Sequence, residues 1–163
     1  MAQVALQRKL AKSGSELYER MKSDFDYSQI IWTIRRYNTD ISEERAAELV
    51  DAFLQWISLV PGNTPRQYIT MFQSPVEEAF HCFVLNTRLY RQFCEEYLEF
   101  FFHHDPLAEE AGPEVVAAAE FTVTSLEQEY GATLHEELRE WRRQFNDGSY
   151  KVACVGPGGG CHT

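Results

Sequence analysis

Apolar positions recur at three- and four-residue intervals along most of this chain and alternate at two-residue intervals almost nowhere, so the pattern predicts helices rather than half-buried strands. The expected fold class is all-α, a compact multi-helix domain followed by a glycine-rich, Cys-containing C-terminal tail. A first helix is expected over residues 2–22 and a second over 27–37, where Ile30, Ile31, Ile34 and Tyr37 take core-like spacing. Asn38-Thr39-Asp40 breaks the second. Ser42 is an N-cap residue type, and Glu43 and Glu44 behind it suit the positive end of a helix dipole. Leu49, Phe53, Trp56 and Val60 then continue one apolar face until Pro61-Gly62-Asn63 stops it.

A short helical turn is expected over residues 64–72. Ser74-Pro75, a cap followed by proline at the first helical position, opens what reads as the longest and most aromatic helix, unbroken to about residue 102. Asp105-Pro106 ends it, Pro113 opens a helix over 114–130, and Gly131 separates that from a last helix ending near 145. Asn146-Asp147-Gly148-Ser149 reads as a turn. Residues 1–149 thus form the helical domain, and residues 150–163 form a Cys/Gly-rich tail packed on it. The tail carries too much glycine to hold regular structure without an external constraint.

At 44% hydrophobic and 13% aromatic, the 163 residues suffice for a single buried core and exclude a low-complexity chain. Charge narrows the partners. Lys+Arg of 15 against Asp+Glu of 25 gives −10, which repels phosphate backbones and anionic membrane surfaces, so neither nucleic acid nor membrane is an expected partner. The N-terminus lacks the apolar run of a secretory signal, and no stretch approaches the about 20 apolar residues that span a bilayer, so a cytoplasmic location is expected.

In that setting the four cysteines read as thiols or metal ligands rather than disulfides. Cys82 and Cys94 lie in aromatic helical sequence and read as small buried hydrophobes. Cys154 and Cys161 lie in the tail, where packing explains them poorly. Glu77 and His81 stand four apart on one helix face, which lets the carboxylate orient the imidazole, and Arg88 returns to that face seven residues on. His103 and His104 are adjacent, about 100° apart on a regular helix, so one of the two is expected to share a site with His81.

Two thiolates and two imidazoles, Cys154 and Cys161 with His81 and either His103 or His104, would close a tetrahedral zinc site. Such a metal would be mainly structural, clamping the tail onto the long helix, with Glu77 behind His81 and His81 as its anchor. Two other readings stand beside it. One is a metal-free module whose acidic helical surface docks onto a protein partner. The other is an enzyme with His81 as general base, Glu77 as its orienter, and Cys94 or a tail cysteine as nucleophile. A direct Cys94-His81 dyad is disfavoured, because the two lie about 140° apart around a helix. Phosphate-loop, nucleophile-elbow, His-Glu-x-x-His and paired Glu-x-x-His signatures are absent from the sequence.

Glu77, Phe80-His81, Thr87, Tyr90, Phe93-Cys94 and His103-His104-Asp105-Pro106 together resemble the characteristic segment of the glycine-rich domain-containing protein-like family. That family more often has aspartate where Glu77 stands and tryptophan where Phe80 stands. The resemblance implies that His81, the His103-His104 pair and the tail cysteines belong to one site. It implies no particular activity.

Overall fold

The computed structural model of the chain describes residues 13–62, 68–98, 100–105 and 112–157. Among the described residues, seven α-helices surround one aromatic core, and a two-stranded ribbon closes one side. The chain runs through α1 (Gly14–Asp24), α2 (Ser28–Tyr37), α3 (Glu43–Ile57), a 3₁₀ turn (Val60–Gly62) and β1 (Tyr68–Phe72). It continues through α4 (Pro75–Leu85), α5 (Thr87–Phe93), a π-helical turn (Cys94–Leu98), α6 (Pro113–Tyr130), a second 3₁₀ turn (Gly131–Thr133), α7 (Glu136–Asp147) and β2 (Val152–Pro157). The all-α class stands, and among the described residues no helix is long and apolar enough to cross a membrane.

Local chemistry sets the helix starts. Ser42 accepts the Arg45 N–H at 3.0 Å at the head of α3, and Ser74 does the same for Glu77 at 3.4 Å with Pro75 at the first position of α4. Gly148 ends α7 in the left-handed conformation at φ 76°, which a glycine adopts without strain. Helix α3 is the centre of the molecule, burying Leu49, Val50, Phe53, Leu54, Trp56 and Ile57. It packs against α1, α2, α4 and α7. Its polar Gln55 is only 3% exposed yet satisfied at both ends, donating to the Thr133 carbonyl and accepting from the His135 N–H. The beginning of the expected first helix, residues 1–12, lies outside the described residues.

Two expectations are overturned. The expected single helix from Ser74-Pro75 to about residue 102 is broken at Asn86, whose side-chain amide donates to the Cys82 carbonyl at 2.8 Å and to Thr33 Oγ1 at 3.0 Å. This competing side-chain bond, anchored by a residue on α2, ends α4 at Leu85. After α5 and the π turn the chain over Phe102–His104 belongs to no helix or strand, so the two histidines do not sit on a helix.

The expected helical turn over 64–72 is the second correction. Its described part, Tyr68–Phe72, is a strand buried at four of its five positions, which erases the alternation that marks a half-exposed strand. Its partner is the tail, with antiparallel pairs Ile69↔Gly156, Thr70↔Val155 and Met71↔Cys154. Pairing with β1 is the external constraint on residues 152–157, and residues 158–163 of the expected tail lie outside the described residues. Thr70 is held on its other sides by Thr122 on α6, which accepts its N–H at 2.8 Å, and by Trp56 on α3, which donates to its carbonyl at 2.8 Å.

Gly156 is required by close approach. A Cβ there would lie 2.3 Å from Cζ of Phe102, a ring only 1% exposed and unable to swing aside. Gly156→Ala is expected to destabilise the fold by about 1–3 kcal/mol through overpacking. Denaturant melts check this, and an unchanged midpoint would contradict the packing of Phe102 on β2.

Candidate metal centre

The site grows from the first turns of α4. Ser74 fixes where the helix begins, so Glu77 falls in the first turn and His81 one turn later on the same face. His81 Nδ1 lies 2.9 Å from Glu77 Oε1. From the other side comes His104 on the irregular segment after the π turn, its Nε2 3.0 Å from the same carboxylate oxygen. That segment is held by Phe102, whose ring is buried against Gly156 of β2 and whose carbonyl accepts the Tyr90 hydroxyl. The His104 ring lies against Phe80, centroids 4.3 Å apart, and meets the His81 ring edge-on at 4.8 Å.

Glu77 Oε1, one nitrogen of His81 and one of His104 lie within 4.8 Å of one another, close enough to share one cation after small side-chain adjustments. Hydrogen bonding from His104 is the largest influence on the Glu77 carboxyl and holds it below its ordinary value; burial opposes this, and the charge of His81 adds to it. The carboxylate therefore stays ionised, as a metal ligand must.

The second nitrogen of His104 is also engaged. Nδ1 lies 3.2 Å from Cys154 Sγ on β2, so the imidazole links the tail strand to α4. Thiol, imidazole and carboxylate stand in line, the arrangement of an activated nucleophile. Cys154 is however only 2% exposed, so no reactant reaches the sulfur in this conformation.

The structure thus brings together Glu77, His81, His104 and Cys154 out of the residues singled out in the sequence. It leaves His103 apart, its ring 4.8 Å from that of Phe101 and partly exposed. Cys161 lies outside the described residues. Cys82 and Cys94 are buried as expected at 3% and 1% exposure. Burial pushes the Cys82 thiol up to about 11 and the Cys94 thiol above its ordinary value, the opposite of what a nucleophile needs. Arg88 lies exposed on α5, past the break at Asn86.

The sequence reading cast Glu77 only as a support for His81. The geometry makes it the shared acceptor of both rings. It also moves the weight of the cluster, because the His104 side chain is 5% exposed and that of His81 is 58% exposed.

Fold and site together define a small helical domain carrying a histidine-carboxylate cluster. The chain belongs to the UCP032817-like family, which it matches over residues 19–119. No curated protein and no solved structure matches it. The matched span includes Glu77, His81 and His104 and stops short of Cys154. It does not extend to the glycine-rich domain-containing protein-like family, for which the segment from Glu77 to Pro106 stands as a resemblance.

Proposed function

We propose that this chain is a small metal-binding helical domain in which Glu77, His81 and His104 hold a zinc ion. The convergence of their three ligand atoms within 4.8 Å, from two separate parts of the chain, carries the reading. Zinc accepts both the borderline imidazole nitrogen and the harder carboxylate oxygen, and among common divalent ions a site with two imidazoles favours the later first-row metals. The ion would tie α4 to the segment bearing His104. With Nε2 on the metal, the ring carries its proton on Nδ1 and donates it toward Cys154 Sγ, so the clamp reaches the tail strand through the imidazole.

The setting suits this role. Cys82 and Cys94 are free and buried thiols, as in a protein of the reducing cytosol, where we place it. Kinship with the glycine-rich domain-containing protein-like family, resting on the segment from Glu77 to Pro106, belongs to the same reading.

Metal analysis of the full chain, purified without affinity tag or chelator, is the test. About one equivalent of zinc is expected, lost in Glu77→Ala and in His104→Gln, with a melting temperature that falls on chelation. Less than about half an equivalent of any transition metal, with melting indifferent to chelator, would overturn the proposal, since binding to the native state must stabilise it. That outcome would favour the other reading, a metal-free module whose charge of −10 docks onto a basic protein partner.

A further inference from the structure

The three donors are graded in exposure. His104 at 5% and Glu77 at 14% form the inner wall of the cluster, and His81 at 58% forms its rim. An ion held between them is walled on one side and open on the other.

Three protein donors leave four-coordinate zinc one ligand short. Cys154 does not supply the fourth in this arrangement, because it contacts the opposite nitrogen of His104 and the imidazole ring lies between sulfur and ion. No further histidine, cysteine or carboxylate joins the cluster among the described residues. Two histidines and one carboxylate with a vacant position are the donor set of an open zinc centre, distinct from the closed four-ligand sites that only stabilise.

Glu77 has a second neighbourhood. It lines a cleft of about 1250 Å³ between the α2–α3 corner, the head of α4 and Ala153 of β2. Asn38, Thr39, Ser42, Gln73 and Ser74 give that cleft amides and hydroxyls, and Asp40 and Glu78 give it carboxylates. Its Arg45 is already engaged by Glu48 and Glu137. A phosphate or sulfate would meet acidic walls there and a guanidinium that is occupied. A divalent cation with one carboxylate and two neutral imidazoles stays positive, so its open position favours an anionic oxygen donor.

Resting on the metal reading above, we infer that the centre keeps one exchangeable position that binds a small carboxylate or hydroxamate oxygen, with the body of the ligand lying in the adjacent cleft. The body is uncharged or carries an ammonium group, as the acidic and hydrogen-bonding walls require. Such a ligand displaces a water from the ion and breaks no protein-metal bond.

Cobalt(II) substitution of the full chain separates this inference from the reading beneath it. Cobalt should bind competitively with zinc, and its visible absorption should report the coordination number. Adding acetohydroxamate is expected to change that spectrum saturably, and inorganic phosphate is expected to bind at least about tenfold more weakly. Gln73→Trp, which fills the cleft from an exposed position and leaves the donors intact, is expected to weaken benzohydroxamate about tenfold while sparing acetohydroxamate. Failure to bind cobalt or zinc overturns the metal reading and the inference with it. Binding with a spectrum indifferent to hydroxamate overturns the exchangeable position alone. A preference for phosphate, or equal loss of both hydroxamates in Gln73→Trp, overturns the ligand class or its placement in the cleft.

Discussion

Phe80→Ala is expected to lower the unfolding free energy by about 3–5 kcal/mol, more than any other single truncation next to the site. Phe80 is fully buried, stacked on Phe53 at 5.0 Å, and ringed by Trp56, Tyr90 and Phe102 at 5.6, 6.0 and 6.1 Å. Its remaining face meets His104 at 4.3 Å. Alanine opens a cavity among rigid rings that cannot collapse into it, so the transfer loss and the cavity term add. The same change frees one face of His104, and zinc affinity should fall although Phe80 touches no ion. Denaturant melts in chelator measure the first effect and zinc titration the second. Phe80→Leu, which keeps most of the volume, should cost about 1–1.5 kcal/mol. A loss below about 1 kcal/mol for Phe80→Ala would show that the aromatic cluster is not packed as described.

Much of the fold can be read from local rules, since Ser42, Ser74-Pro75, Pro113, Gly131 and Gly148 mark boundaries through their own backbone chemistry. The misread boundaries depend on partners distant in the chain. Asn86 ends α4 with the help of Thr33, 53 positions earlier, and nothing beside Asn86 announces it. Tyr68–Phe72 is rich in strand-forming residues, but burial on both faces removes the alternation that would have revealed it. Its partner strand is a segment whose glycine content argues for irregular structure until β1 is supplied.

The site follows the same division. Glu77 and His81 are paired by helical spacing alone and were legible at once. His104 could not be separated from His103 by spacing, because the two lie on an irregular segment rather than a helix. The burial of Phe102 against Gly156 and β2 selects between them. Cys154 reaches His104 only through the register Met71↔Cys154, a property of the ribbon that no local pattern encodes.

His104→Ala is expected to cost about 3 kcal/mol in chelated protein, whereas His81→Ala under the same conditions should cost less than about 1 kcal/mol. The sequence reading made His81 the anchor, and burial reverses the order. His104 is 5% exposed with both nitrogens engaged, so its loss takes one hydrogen-bond partner from the Glu77 carboxylate and one from Cys154 and leaves a gap against Phe80. His81 is 58% exposed, and water replaces it at the Glu77 oxygen with little penalty. Zinc changes the ranking. At a free concentration near 100 times its dissociation constant, the ion should add about 2.7 kcal/mol to the wild type. Both variants should lose nearly all of that increment, because each lacks one of three ligands. The two melts therefore differ by a small gap for His81→Ala in chelator, a wide gap in zinc, and a wide gap for His104→Ala in both. If His81→Ala were as damaging in chelator as His104→Ala, the exposed ring would have to be part of the core, contrary to its placement. If zinc left the His81→Ala gap unchanged, His81 would not be a ligand.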